Sequence, residues 1–187
     1  MIALIVLLAI GAVLVVYFVG IYNSLVAVRE RVKQSWANID VLLKQRHDEL
    51  PKLVKVAEAY MQHERAIFDK LSEARGALAE ARTVGQRANA ENQITRALGS
   101  FFAVAENYPD LKANQAFHSL QQRISELENA IADRREFYND IVTMFNTRIE
   151  QIPDLWVAQG MTLQKAELFK IEESERRDVE IAFRMTA

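Results

Sequence analysis

The stretch MIALIVLLAIGAVLVVYFVGIY, residues 1–22, decides the fold of this chain. No charged residue occurs between Ile2 and Ile21, and a helix of twenty residues spans about 30 Å, the thickness of the hydrocarbon core of a bilayer. A secretory signal would carry a basic segment before a shorter apolar run, and a buried core helix would keep a polar stripe. We therefore predict a transmembrane anchor over residues 1–22, with apolar side chains along its whole length, among them Ile2, Leu8, Val16 and Ile21.

The charges that flank the anchor predict its orientation. Arg29, Arg31 and Lys33 follow the span, and Glu30 alone offsets them. The positive-inside rule then places the carboxyl side in the cytoplasm and the amino terminus outside.

Composition restricts the class of the remaining residues, about 165 in number, to one helical domain. Glycine (6) and proline (3) are scarce, as is typical of long helices with few loops. The net charge of −2 gives no basic field for nucleic acid, so we expect no nucleic-acid partner. The absence of cysteine excludes disulfides, thiolate zinc sites and cysteine nucleophiles.

Apolar residues recur at steps of three and four, which predicts amphipathic helices. Breaks near Pro51, at Thr83 to Gly85, at Asn107 to Asp110 and at Ile152–Pro153 would divide residues 23–153 into four such helices. We therefore predict an all-α fold, in which the transmembrane helix is followed by an up-and-down four-helix bundle. The strongest stripe comprises Phe117, Leu120, Ile124, Leu127, Ile131, Tyr138, Ile141, Phe145 and Ile149.

Pro51 leaves two alternatives. An interior proline costs a helix about 3 kcal/mol, and an unbroken rod from Tyr22 to Arg82 would be about 90 Å long. We favour a turn near Pro51. However, the helical spacing keeps its phase across Pro51, so the alternative is a kinked rod whose exposed stripe another subunit covers.

The C-terminal tail, residues 154–187, is less regular. Residues 154–160 are interpreted as a loop that carries Trp156, and residues 161–175 as a short helix. Residues 176–183 alternate apolar and polar side chains, which predicts an extended segment; a disordered end is the alternative.

The order and spacing of motifs over nearly the whole chain resemble the LemA family of bacterial membrane proteins. The resemblance includes the segments Tyr22-Asn23-Ser24-Leu25-Val26, Trp36-x-x-Ile39-Asp40-Val41-x-Leu43-Lys44-x-Arg46, Asp48-x-x-Pro51-x-Leu53-Val54, Tyr60-x-x-His63-Glu64, residues 106–114 (ENYPDLKAN), Glu128-Asn129-x-Ile131, Tyr138-Asn139, Phe145-Asn146 and Ile152-Pro153. Mild departures from the family pattern occur at Phe145, Ile152 and Met161.

The resemblance implies a single-pass protein of the bacterial cytoplasmic (inner) membrane with a four-helix soluble domain. It also implies an assembly or accessory role, often beside membrane metalloproteases or other envelope proteins. No catalytic residue set comes with it.

The sequence predicts no catalytic, cofactor or metal site. The three histidines are His47, His63 and His118, and none forms the Glu-x-x-His pair of a di-iron bundle. His63–Glu64 is a possible ligand pair with a partner helix, but a surface or interhelical polar pair is the favoured interpretation. Motifs for zinc proteases, phosphate-binding loops and serine hydrolases are absent, so we predict that the chain is not an enzyme.

Four polar residues are predicted to make contacts between helices. Asn139 and Asn146 are seven residues apart and so share a helical face, while Asp40 and Arg46 flank the apolar stripe. Buried polar contacts fix helix register at a cost in stability, so replacing Asn146 by leucine should raise thermal stability or change oligomer size. A solvated face is the alternative.

These observations predict a membrane-anchored scaffold or interaction protein that assembles with itself at the cytoplasmic membrane. One alternative is an adaptor for an integral membrane client, such as a protease or transporter. Another is a ligand-binding sensor with a pocket near Trp36 and Tyr60.

Overall fold

The computed structural model describes residues 1–170 and is entirely helical in its regular structure over that range, as predicted. Six helices follow one another along the chain: α1 (Ile2–Glu58), α2 (Arg65–Glu80), α3 (Val84–Ala105), α4 (Pro109–Lys112), α5 (Gln115–Arg148) and α6 (Asp154–Gly160).

The apolar span and the first bundle helix are one element. α1 has 57 residues, about 86 Å at 1.5 Å per residue, and its first part is long and apolar enough to cross a membrane. None of that apolar window is buried by the rest of the chain, whereas Leu25 is fully buried. The helix therefore leaves the span and enters the protein core within a single turn.

The predicted turn near Pro51 is wrong, because α1 continues through this residue to Glu58. Pro51 is exposed, while Leu50 and Leu53 on either side of it are fully buried. Burial of a leucine contributes about 1.5–3 kcal/mol. Leu53, Ala57 and Met61, all buried beyond the proline, thus offset its cost of about 3 kcal/mol. The chain reverses later, over residues 59–64.

The four long helices form the predicted up-and-down bundle. α5 has 34 residues and lies antiparallel to α1, with Phe117 at the level of Leu50 and Phe145 at the level of Leu25. α2 and α3 form a hairpin that packs on the end of this pair farther from the span. The continuous α1 therefore needs no second subunit to cover its stripe, because α5 and the α2–α3 hairpin pack against it.

Side-chain caps set the starts of the later helices. The Thr83 hydroxyl accepts the Gln86 N–H at 3.1 Å and the Gln86 side chain accepts the Thr83 N–H, which is a capping box at α3. Asn114 caps α5 by accepting the N–H groups of Ala116 and Phe117. Asp110 lies in the first turn of the short helix α4.

The tail differs from the prediction in both of its described parts. The expected loop at residues 154–160 is α6, and residues 163–170, expected to be helical, have no helix. Thr162 takes a left-handed conformation (φ 53°), and Leu163 N–H donates to the Ala158 carbonyl at 3.0 Å. This reverse turn is a Schellman motif, which ends α6 and starts an extended segment. The predicted extended segment at residues 176–183 lies outside the described residues.

Candidate functional site

Residues 163–170, called the strap below, lie extended along α5 and are held there by two asparagines. Asn146 Nδ2 donates to the Ala166 carbonyl at 3.0 Å, and the Ala166 N–H donates to Asn146 Oδ1 at 2.8 Å. Asn139 makes the same pair of hydrogen bonds with Phe169, at 3.0 and 2.8 Å. The seven-residue spacing of Asn139 and Asn146 spans about 10.5 Å along α5, and the three-residue spacing of Ala166 and Phe169 spans about 10 Å in an extended chain. Each asparagine therefore lies opposite its strap residue.

One aromatic side chain anchors the strap between α1 and α5. Phe169 is fully buried, its ring centroid lies 5.9 Å from that of Trp36, and the Arg135 guanidinium lies 4.3 Å from its centroid. Tyr138 donates its hydroxyl to the Glu167 carbonyl at 2.9 Å. Burial, followed by the Glu167 carboxylate, raises the pKa of Tyr138, so its hydroxyl stays a donor at neutral pH.

Two residues of α3 bind the strap. The Glu167 carboxylate accepts the Gly85 N–H at 3.1 Å in the first turn of α3, where the helix dipole favours a negative charge. Asn92 Nδ2 donates to the Lys170 carbonyl at 3.3 Å. The strap therefore lies along the α1–α5 pair from the cluster around Leu25, where Leu163 and Ala166 pack, to the N-terminal half of α3.

A charged cluster lies at the centre of the bundle. Arg46 is 1% exposed and pairs with Glu91 of α3, which is fully buried, and with Glu128 of α5. Thr95 Oγ1 accepts from Arg46 at 3.1 Å and donates to Glu128 at 3.0 Å. Burial lowers the pKa of Arg46, and the Glu128 carboxylate opposes that shift. The cluster therefore joins three helices at one height, which supports a role in register.

The predicted polar residues have different partners. Asp40 pairs with Arg87 of α3 at the surface, where an ion pair contributes little, and Arg46 joins three helices as described. The prediction of interhelical partners for Asn139 and Asn146 is wrong, because both bind the strap. The extended strap offers unpaired backbone groups that helices, with their internal hydrogen bonds, do not.

Glu91 and Glu128 were not singled out from the sequence, although a signal for Glu91 existed. Glu91 falls on the apolar stripe of α3, at three and four residue steps from Ala88, Ile94 and Leu98. A charged residue on such a stripe needs a buried partner.

Among residues 1–170, the side-chain arrangement does not match the alternative of a ligand pocket near Trp36 and Tyr60, or that of a metal site. Trp36 packs against Phe169 and Tyr138, whereas Tyr60 lies just beyond the end of α1, and Glu58 at that end is about 33 Å along the helix from Trp36. The two side chains therefore do not line one pocket. No three His, Asp or Glu side chains of this range are grouped for a metal, and Glu64 accepts instead from the Tyr108 hydroxyl at 3.0 Å.

Comparison with known proteins shows to which family the chain belongs. The LemA family model matches residues 35–183, and Protein LemA of Metamycoplasma hominis is 30% identical over 176 residues, which cover 93% of this chain and 80% of the relative. The chain belongs to the LemA family.

Two further relatives are longer proteins. Magnetosome proteins MamQ 1 and MamQ 2 of Paramagnetospirillum magneticum are each 25% identical over 175 residues, which cover 80% of this chain and 64% of each relative. This LemA-family chain therefore spans just under two thirds of their length. The family match and the apolar span together describe a membrane-associated helical protein.

Proposed function

We propose that this LemA-family protein is a non-catalytic scaffold that assembles laterally with copies of itself on the cytoplasmic face of a bacterial membrane. The observation that carries the proposal is the continuity of α1. Leu25, the first buried core residue, follows Ile21 by four positions of unbroken helix. The bundle thus has a set orientation relative to its anchor, and a set orientation is what lateral assembly requires.

The orientation in the membrane follows from the charges after the span. Arg31 is exposed, Lys33 is 64% exposed and Arg29 is 41% exposed, so all three can face anionic headgroups on the cytoplasmic side. The exposed Glu30 offsets one of them.

An apolar stripe on α5 supports self-assembly. Phe137 is 50% exposed and Met144 is 41% exposed, and a spacing of seven residues places them on one helical face. Asn139 lies about 160° around the helix from Phe137, so the stripe faces away from the strap. Copies inserted with the same orientation can bring two such stripes together about an axis along the membrane normal.

Cysteine cross-linking tests this proposal, because the natural chain has no cysteine. Met144→Cys in native membranes should form disulfide-linked dimers on mild oxidation. Thr143→Cys is the matched control, since Thr143 is exposed at the same height but about 100° away around α5.

Dimers from Met144→Cys and few from Thr143→Cys would support the scaffold. Equal, low yields from both would overturn self-assembly through this stripe. A product of Met144→Cys that contains a different protein would replace the scaffold by the adaptor.

A further inference from the structure

The short helix α6 lies beside the end of the apolar span. Val157 shares a shallow apolar depression with side chains from the last turns of the span, namely Leu14, Val15, Phe18, Val19 and Tyr22. Ala158, the next residue, is buried in the cluster that contains Leu25. α6 is therefore at the depth where the hydrocarbon core ends.

Residues 152–156, called the corner below, expose two large apolar side chains. Ile152 is 67% exposed and Trp156, four residues later, is 57% exposed. Beside the end of a membrane span, exposed tryptophan is typical of a side chain at the membrane–water interface.

The charges around the corner are paired with one another. Arg148 binds the Asp154 carboxylate through Nε at 2.8 Å and through Nη2 at 2.5 Å, and Lys165 binds Glu150 at 2.7 Å. These two ion pairs therefore cancel four charges that lie near Ile152 and Trp156 in the sequence or pair with residues there, which lowers the cost of bringing this surface to a bilayer.

The corner is also held in place relative to the span. Arg148 Nη1 donates to Ser24 Oγ of α1 at 2.8 Å, and the same guanidinium holds Asp154 in the first turn of α6. Trp156 consequently cannot move away from the depth of the membrane surface without breaking these contacts.

We propose that the corner formed by Ile152 and Trp156 enters the headgroup region of the bilayer as a second membrane contact beside the anchor. The occupant of this surface is lipid, since the depth is set by the adjoining span. Tryptophan suits this position, because its ring is apolar and its indole N–H can bind interfacial water or headgroups. The contact depends on the membrane anchor of the proposed function, but it does not depend on self-assembly.

The consequence is a restraint on tilt. A single span can tilt in any direction, whereas an apolar contact to one side of its axis opposes tilt that would lift the corner away from the bilayer.

Tryptophan fluorescence of the full-length protein in phosphatidylcholine–phosphatidylglycerol vesicles tests the proposal. The chain has two tryptophans, so the difference between the natural protein and Trp156→Phe isolates Trp156. We expect this component to be blue-shifted. We also expect quenching several-fold stronger by lipid brominated near the headgroup than near the acyl methyl end.

Trp36 provides the internal control. It lies 14 residues beyond Tyr22 on α1, about 21 Å from the span, and should escape quenching in Trp156→Phe. Trp36→Phe should retain the quenched signal.

A Trp156 component that keeps the emission of a solvent-exposed indole, or that is shifted without bromine quenching, would overturn the lipid contact. Flotation of the same vesicles separates this result from failure of the anchor. Unquenched protein that still floats contradicts the corner contact only, while protein that does not float contradicts the anchor.

Discussion

Asn146 holds Ala166 by both of its backbone polar groups, at 2.8 and 3.0 Å. The side-chain amide presents an N–H donor and a carbonyl acceptor side by side, so it substitutes for the neighbouring strand that an extended segment otherwise needs. Asn139 makes the same contact with Phe169. Together the two asparagines form two pairs of hydrogen bonds along one side of the strap, called the ladder below. This relationship explains an asparagine pair that has no role between helices.

Replacing Asn146 by leucine should therefore destabilise the protein, against the expectation from sequence alone. The change leaves the N–H and carbonyl of Ala166 without these partners, and each unsatisfied buried group costs about 1–3 kcal/mol. Thermal unfolding should show a lower Tm, and hydrogen exchange at Ala166 and Phe169 should accelerate. Asn129→Leu, at an exposed position of the same helix, is the control. A Tm for Asn146→Leu at or above that of the natural protein would contradict the ladder.

Arg46→Met should be among the most damaging single changes. It leaves Glu91 and Glu128 without their cation, and breaking a buried pair costs about 3–5 kcal/mol. The double variant Arg46→Met with Glu91→Leu should recover part of that loss. Chemical denaturation measures both, with Arg87→Met as the exposed control at a cost of about 0–1 kcal/mol. Equal effects of Arg46→Met and Arg87→Met would rule out a structural role of the buried charge.

His47 should make the protein less stable in acid. Burial, and then the charge of Arg75, lower the pKa of His47 from 6.5, while Asp48 opposes them. The folded chain thus binds fewer protons than the unfolded chain just below pH 6.5, so stability rises with pH through that window and is lost as pH falls. His47→Gln should flatten the decline of Tm below pH 6.5, whereas the exposed His118→Gln should not. Parallel Tm curves for His47→Gln and the natural protein would contradict this assignment.

Thr162→Gly should stabilise the turn between α6 and the strap. Thr162 has a φ of 53°, a conformation that costs a β-branched residue about 1–2 kcal/mol and glycine little. We expect a higher Tm, offset in part by the flexibility of glycine in the unfolded chain. Gln164→Gly, in the extended strap, carries only that flexibility and should lower the Tm. A loss of stability in both variants would show that the turn is unstrained.

The helices could be predicted because burial imposes a period on the sequence. The stripe from Phe117 to Ile149 marks the side of α5 that faces the protein core. The charge-free residues between Ile2 and Ile21 form the exposed part of α1. Pro51 misled the prediction because local cost was weighed without the tertiary burial of Leu53 and the residues after it. That burial comes from side chains of α2, α3 and α5, which the local sequence around Pro51 does not show.

The strap could not be predicted because its conformation depends on distant partners. Residues 163–170 have no regular period, and their backbone is satisfied by side chains of α5 and α3. The spacing of Asn139 and Asn146 predicts that both side chains face one partner, but the sequence does not show that this partner is the strap. Arg46 was identified in the same way, from its position beside an apolar stripe, without the two glutamates that bind it.

The mass of the full-length protein in mild detergent, measured by light scattering at several concentrations, tests the scaffold most directly. We expect a defined particle of more than one chain whose mass falls on changing Met144 to glutamate, because the charge enters the Phe137–Met144 stripe. The exposed Thr143→Glu should leave that mass unchanged. A single chain at every concentration would contradict self-assembly and direct the search to a membrane protein client.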